Sequence, residues 1–186
     1  CLAPVLEYKR MKFKIPPEIL LIAHTLQEDG HAGYLVGGCV RDLLLGRVPK
    51  DWDVATEATP EEIQALFPEN VYENQFGTVG IKTDADDPRL RIVEVTTFRK
   101  EGRYTDKRHP DMVTFARTIE EDLSRRDFTV NAIALKCDTN IRIHANDTNN
   151  TNAVVDPYEG QKDLKDQTIR TVGDPEERFG EDALRL

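Results

Sequence analysis

Two carboxylates separated by one residue are the most informative chemical feature of this sequence. Asp51 and Asp53 flank Trp52, and side chains two positions apart on an extended strand point in the same direction. Mg²⁺ prefers such oxygen ligands beside substrate phosphates. Upstream, Gly37 and Gly38 predict a turn into a helix, and such a turn offers backbone N–H groups to a polyphosphate. Together these features predict a metal-dependent enzyme that handles a nucleoside triphosphate.

The glycine turn does not belong to a standard nucleotide-binding loop. No Gly-Lys-Ser or Gly-Lys-Thr follows it, as a Walker loop requires, and the third glycine of a dinucleotide fingerprint is absent. Taken alone, a Gly-Gly pair is commonly a tight turn, and an Asp-x-Asp is commonly solvated surface. The functional interpretation is favoured by the combination of these features: a strand, a glycine turn, a helix with Arg41 and then a strand with two carboxylates.

A third carboxylate lies on a second predicted strand, residues 91–97. Glu94 and Thr96 share one face of this strand, while Val93 and Val95 share the other. If it neighbours the Asp-x-Asp strand, Glu94 completes a cluster of three carboxylates, and like charges so close need a cation to remain ionised. The alternative interpretation is an exposed Glu on a half-buried sheet.

Arg126, Asp127 and Asn131 form another candidate group. Asp127 and Asn131 lie four residues apart, which would place them on one face of a predicted helix over residues 128–135. Arg126 at the start of that helix could meet a triphosphate or a ribose. The alternative is a surface Arg beside an Asp that caps the helix.

Asp182 and Arg185, three residues apart near the end of the chain, predict one face of a terminal helix. An acceptor beside a donor matches the Watson–Crick edge of cytosine or adenine, whereas guanine and uracil present a ring N–H to the Arg. The alternative is an ordinary salt bridge along a helix, worth about 0.2–0.5 kcal/mol.

The composition indicates one globular domain, with room for the start of a second. The chain has 186 residues, of which 39% are hydrophobic and 32% charged. Its net charge of −9 argues mildly against a nucleic-acid-binding face. Its apolar runs are too short to span a bilayer, and three cysteines without a paired framework favour a cytoplasmic location. It begins at Cys1 and stops within a helical pattern at Leu186, so we expect a fragment of a longer protein.

Periodicity and turn signals predict alternating short helices and strands around these motifs. Helices are predicted from Pro17, over 40–45, from Pro60 behind the N-cap Thr59, over 119–123, 128–135 and 160–166, and at the end of the chain. Strands are predicted over 34–36, 52–56, 77–83, 91–98, 112–115 and 168–172. A charged loop is predicted over 99–110, and a long hairpin or disordered insertion over 138–152.

Five motifs in order resemble one known family. They are YLVGGCVRD (34–42), PKDWDVAT (49–56), RRDFTVNA (125–132), DPYEG (156–160) and EDALR (181–185). From about Ile19 onward the chain is similar to the head and early neck of class II tRNA nucleotidyltransferases, the family of CCA-adding enzymes and poly(A) polymerases. The resemblance implies an α+β fold, the polymerase-β-like nucleotidyltransferase fold, with a small mixed sheet flanked by helices. It implies a catalytic head over 12–172 and the start of a helical neck over 173–186.

The same resemblance implies a role for each candidate residue. Asp51 and Asp53 would hold two Mg²⁺ ions; Gly37, Gly38 and Arg41 would hold the triphosphate; Arg126, with Asp127 and Asn131, would contact sugar and phosphate or support the pocket; Asp182 and Arg185 would select CTP and ATP; and Glu94 would be a third catalytic carboxylate.

The implied activity is template-independent addition of C and A to the 3′ end of tRNA from CTP and ATP. The tRNA would be bound by domains missing here. No membrane partner is expected, and the oligomeric state is open. Residues 96–110 resemble the flexible loop of enzymes that add the terminal A. This leaves CCA-adding, A-adding and poly(A) polymerase activities, of which we favour the first. A non-enzymatic alternative is a nucleotide-binding regulatory domain, and another is an interaction domain. The polar stretch 138–154 is longer than the family pattern leads us to expect.

Overall fold

One eight-stranded sheet carries the candidate site. The computed structural model describes residues 10–11, 13–72, 77–101, 113–137 and 152–181. The strands are β1 Arg10–Met11, β2 Tyr34–Val36, β3 Asp53–Thr56, β4 Asn70–Tyr72, β5 Thr78–Lys82, β6 Ile92–Thr97, β7 Arg99–Glu101, β8 Val113–Phe115, β9 Ala134–Lys136 and β10 Asn152–Val155; the helices are α1 Pro17–Glu28, α2 Gly38–Leu44, α3 Pro60–Leu66, α4 Ile119–Ser124, α5 Gly160–Asp166 and α6 Pro175–Glu181, with a 3₁₀ turn at Thr129–Asn131.

The sheet is mixed, and its order is β1-β10-β9-β2-β3-β6-β5-β4. β3 and β6 run parallel, and every other neighbouring pair in this sheet is antiparallel. A separate antiparallel pair joins β7 and β8. The prediction of a mixed sheet flanked by helices is therefore confirmed. The parallel β3–β6 pair also makes neighbours of the two strands that carry the predicted carboxylates.

Local sequence signals account for the helices that cover one face of the sheet. α1 begins with Pro17 at its first turn, where a missing N–H is tolerated. α3 begins with a capping box, in which the Thr59 side chain accepts from the Glu62 backbone N–H and the Glu62 carboxylate accepts from the Thr59 N–H. These helices pack apolar residues against the sheet, as the sequence predicts.

Two apolar clusters occupy the two faces of the sheet. The larger one joins side chains of α1, α2 and α3 to alternate strand residues such as Leu35, Val54 and Val95. We call this side the back face. The smaller cluster, on the front face, includes Ala55 and Ala134 and packs against α4. No helix in the described part of the chain is long and apolar enough to cross a bilayer.

Two predicted elements are wrong. Residues 128–135 form a 3₁₀ turn and then strand β9 instead of one helix. The Thr129 N–H donates to the Arg170 carbonyl rather than to a helical partner. Residues 168–172 form no strand, and Phe128 and Thr171 make only an isolated bridge.

Some short strands are not predicted by the sequence pattern. β4 and β10 have no counterpart among the predicted elements, and β7 occupies part of the predicted loop 99–110. Most of the predicted insertion 138–152 lies outside the described residues.

Candidate active site

Asp53 begins β3, and Asp51 lies in the bend two residues before it. Trp52 and Val54 both belong to the larger apolar cluster on the back face, so strand alternation turns Asp53 to the front face, and Asp51 is near enough to act on Asp53 electrostatically. Asp51 is exposed and Asp53 is partly buried. Asp53 is the parallel register partner of Glu94 on β6. The condition under which Glu94 could join the aspartates, that the two strands are neighbours, is therefore met.

The environment of Asp53 disfavours an isolated negative charge. Burial raises the pKa of the Asp53 carboxyl above its usual value, the positive charge of Arg126 works in the opposite direction, and the negative charge of Asp51 raises the pKa further. A cation bound between these carboxylates would relieve both the burial cost and the repulsion. The donor chemistry of the pair therefore fits Mg²⁺, which prefers carboxylate oxygens.

The three carboxylates are not arranged as a complete metal-binding group. Within the described ranges, no three His, Cys, Asp or Glu side chains stand together in a way that could hold a metal ion. Glu94 is exposed on β6. The two strands are neighbours, but the role of Glu94 as a third catalytic carboxylate stays a prediction.

The glycine turn between β2 and α2 lies beside Arg126. Gly37 has a φ of +72°, a left-handed conformation that favours glycine, and it forms the N-cap of α2. A Cβ added at Gly37 would lie 2.7 Å from Arg126 Nη1. A side chain at this position would displace the guanidinium and would also strain the backbone at this φ, so both effects favour glycine here. Gly38 is the first residue of α2.

Arg41 and Asn131 meet although they are far apart in the sequence. Arg41 Nη1 donates to Asn131 Oδ1 over 2.9 Å, and Arg41 Nη2 forms a 2.9 Å ion pair with Asp42. Asn131 ends the 3₁₀ turn that follows Arg126. The turn after Phe128 therefore supports the glycine turn through a side-chain bond, rather than through the helix that the spacing predicts.

Asp127 and Asn131 do not share a helical face, so that prediction is wrong. Asp127 precedes the 3₁₀ turn, and its backbone carbonyl accepts from the Val172 N–H over 3.0 Å. Phe128 between them pairs with Thr171. Asp182 and Arg185 lie outside the described residues.

One buried acid that the sequence interpretation missed lies beside the site and contacts Arg126. Asp122 is 1% exposed and pairs with both Arg125 and Arg126. Its spacing of three and four residues from these arginines was a usable signal, since such positions are neighbours on a helix surface. That spacing usually marks a solvated ion pair, so the pattern alone gave no reason to expect a buried charge.

The sheet and the charged groups at its front face define a polymerase-β-like nucleotidyltransferase domain. Residues 33–170 match the family described as the poly A polymerase head domain. Because the match covers most of the chain, the protein belongs to this family.

Relatives and solved structures agree with that assignment. A CCA-adding enzyme of Anoxybacillus flavithermus is 47% identical over 91% of this chain and 38% of its own length. The crystal structure of the Bacillus stearothermophilus CCA-adding enzyme in complex with CTP gives a TM-score of 0.72 at 40% identity, over 92% of this chain and 38% of that one.

A tRNA nucleotidyltransferase complexed with a primer tRNA and an incoming ATP analog gives a TM-score of 0.62 at 30% identity, over 88% of this chain and 42% of that one. The chain thus spans about 40% of the length of the proteins it matches.

Proposed function

We propose that this chain is the catalytic head of an RNA nucleotidyltransferase that adds C and A to the 3′ end of tRNA from CTP and ATP. The observation that carries the proposal is the meeting of Asp53, Arg126 and Gly37 where the central strand β2 ends and its antiparallel neighbour β3 begins. Arg126 acts electrostatically on Asp53 and lies against the glycine turn. A carboxylate for a cation and a guanidinium for phosphate therefore share one site.

The triphosphate would lie at the glycine turn. Gly37 carries no side chain to cap α2, so the first-turn amides, including that of Gly38, would be available to the triphosphate. Arg126 would bind phosphate oxygens through its guanidinium fork. Arg41 would add charge, and Asn131 would hold Arg41 in place through their 2.9 Å bond. Asp127, one residue from Arg126, would support this part of the pocket.

Asp51 and Asp53 would hold Mg²⁺. When bound there, the metal would lower the pKa of the attacking RNA hydroxyl and offset the charge of the triphosphate. In the reaction the 3′-oxygen of the RNA loses its proton and bonds to the α-phosphorus, and the bond from that phosphorus to the departing pyrophosphate breaks. Arg126 would stabilise negative charge on the pyrophosphate as it leaves. Glu94 would supply further negative charge beside Asp53.

Several parts of the proposal extend beyond the described residues. Asp182 and Arg185 would form the protein template that selects cytosine and adenine. Residues 12–172 would make up the head, and 173–186 would begin the neck, with tRNA bound by further domains. A cytoplasmic location agrees with Cys39 and Cys137, which are buried free thiols.

The relatives named CCA-adding enzymes favour CTP and ATP as substrates over ATP alone. The test supplies the complete protein that carries these residues with Mg²⁺ and a tRNA lacking its whole 3′ CCA. Incorporation of CTP followed by ATP supports CCA addition. If CTP is refused but a tRNA ending in CC accepts ATP, the protein is an A-adding enzyme; if ATP extends unrelated RNAs repeatedly, it is a poly(A) polymerase. Nucleotide binding without pyrophosphate release on every substrate would indicate a regulatory domain.

A further inference from the structure

Asp122 on α4 is a buried carboxylate outside the set of residues that the proposed function uses. It is 1% exposed, and a buried charge is costly unless it is paired and hydrogen-bonded. One of its oxygens, Oδ1, accepts from Arg125 Nε over 3.0 Å and from the Arg99 backbone N–H over 3.2 Å. These bonds fix the carboxylate between α4 and the start of β7.

The second oxygen of Asp122 binds the arginine of the candidate site. Arg126 Nη2 donates to Asp122 Oδ2 over 3.2 Å, and the Arg126 side chain is 19% exposed. Arg126 Nε is buried and has no hydrogen-bond partner within the described ranges. Asp122 is therefore the hydrogen-bonding contact that sets the orientation of this guanidinium.

The ionised state of Asp122 is protected by the same contacts. Burial by itself raises the pKa of the Asp122 carboxyl, but the charges of Arg125 and Arg126 and the hydrogen bond from the Arg99 backbone outweigh burial and hold the pKa below its usual value. The carboxylate thus remains charged at neutral pH, and the ion pair with Arg126 persists there.

The other end of the Arg126 guanidinium points to the glycine turn. Nη1 lies 2.7 Å from the position that a Cβ would take at Gly37. Because the guanidinium is planar and rigid, a bond at Nη2 also restricts the direction of Nη1. Asp53 attracts the same group electrostatically, so an Arg126 without its bond to Asp122 would be drawn toward Asp53.

We propose that Asp122 is a positioning residue for nucleotide binding, which holds Arg126 at the glycine turn and away from Asp53. This inference rests on the proposed function, since it assumes that the turn receives the triphosphate of CTP or ATP. It assigns Asp122 an effect that is independent of the base, because Arg126 would bind the phosphates.

The experiment measures equilibrium binding of CTP, ATP and pyrophosphate, each with Mg²⁺, to the complete protein and to Asp122→Asn. We expect all three to bind about tenfold more weakly to the variant, because a charge-assisted hydrogen bond no longer orients Arg126. Arg125→Gln is the matched control, since it breaks the other ion pair of the same carboxylate, and we expect its binding to stay within about twofold of the wild type.

A double-mutant cycle with Arg126→Lys separates positioning from a general structural role. If Asp122 acts through Arg126, Asp122→Asn should change nucleotide binding by less than about twofold in the Arg126→Lys background. Additive effects, or a lower melting temperature with unchanged binding, would overturn the inference. If Asp122→Asn does not fold, Asp122→Glu, which keeps the charge but displaces it, is tested in the same cycle with the same criterion. Wild-type protein that binds no nucleotide would instead overturn the proposed function itself.

Discussion

The two faces of the sheet carry different kinds of residue, although alternating positions of the same strands build both. On β6, Val93 and Val95 point to the back face and are at most 1% exposed, whereas Glu94 between them is exposed on the front. On β3, Val54 packs into the back while Asp53 lies at the front. Burial of one face thus positions the carboxylates of the other.

The front face also leaves room around its polar groups. Gly80 is the antiparallel partner of Glu94 and has no side chain to crowd it. Two register pairs further along, on the same face, Thr78 and Thr96 hydrogen-bond through their hydroxyls over 3.1 Å. At adjacent positions of one strand, back-face substitutions should therefore change stability and front-face substitutions should change the reaction rate. Such substitutions test whether the two faces are independent.

The largest effect is expected at Asp53. Asp53→Asn removes a proposed cation ligand and should lower the rate of nucleotide incorporation about 10³-fold while the protein remains folded. Single-turnover incorporation of CTP into tRNA measures the loss. Asp29→Asn, an exposed acid at the end of α1, is the control and should retain wild-type rates. Near-normal incorporation by Asp53→Asn would contradict the assignment.

The same variant should not be less stable than the wild type. The pKa of Asp53 is raised above 3.8 in the folded state, so the ionised carboxylate lowers stability at neutral pH, and this loss disappears as the pH falls through the folded-state pKa. In the absence of metal, Asp53→Asn should melt at or above the wild-type temperature at pH 7. Its advantage should shrink as the pH falls toward 3.8.

A substitution on the back face should lower stability and leave substrate binding unchanged. Val95 is 0% exposed and is paired with Val54 on one side and Val79 on the other. Val95→Ala should lower the free energy of unfolding by about 2 kcal/mol, because it removes buried methyl groups and leaves a cavity. Urea denaturation measures this, and KM for CTP in the folded protein should not change.

Ile92, on the same strand but 50% exposed, supplies the matched control for Val95. Ile92→Ala should lower the free energy of unfolding by less than about 0.5 kcal/mol. If Val95→Ala instead raised KM severalfold at a temperature where it is fully folded, the two faces would be coupled rather than independent.

Sequence reasoning succeeded where local signals determine the structure. The N-cap at Thr59, the helix over Gly160–Asp166 and the strand at Tyr34–Val36 depend on residues within a few positions of one another. The glycine turn was predicted for the same reason, since glycine readily adopts a positive φ such as the +72° of Gly37.

Sequence reasoning failed where distant residues decide the structure. Residues 128–135 have helical spacing, but Phe128 bridges to Thr171, and Ala134 and Leu135 pair with β2 and β10. These partners lie far along the chain, and no local pattern announces them. Asp122 was missed for a related reason, because its burial depends on β7 and on the smaller apolar cluster.

The smallest effect is expected at Glu94, and it sharpens the comparison with Val95 because the two residues are adjacent. Glu94→Gln keeps the shape of the side chain but removes a charge beside Asp53, so the rate of nucleotide incorporation should fall about tenfold. This decrease is smaller than the one expected for Asp53→Asn, because Asp53 is partly buried and is closer to Asp51 in the sequence. The free energy of unfolding should change by less than about 0.5 kcal/mol, because Glu94 is exposed.

Glu61→Gln, an exposed acid on α3 behind the sheet, is the matched control for Glu94 and should leave both quantities unchanged. Wild-type incorporation by Glu94→Gln would remove Glu94 from the catalytic group and leave the aspartate pair as the proposed cation ligands. A loss of stability without a loss of rate would show that the front face at β6 supports the fold, as Val95 does from the back. A loss of rate alone would show that two adjacent residues of β6 have separate effects, Glu94 on the reaction and Val95 on stability.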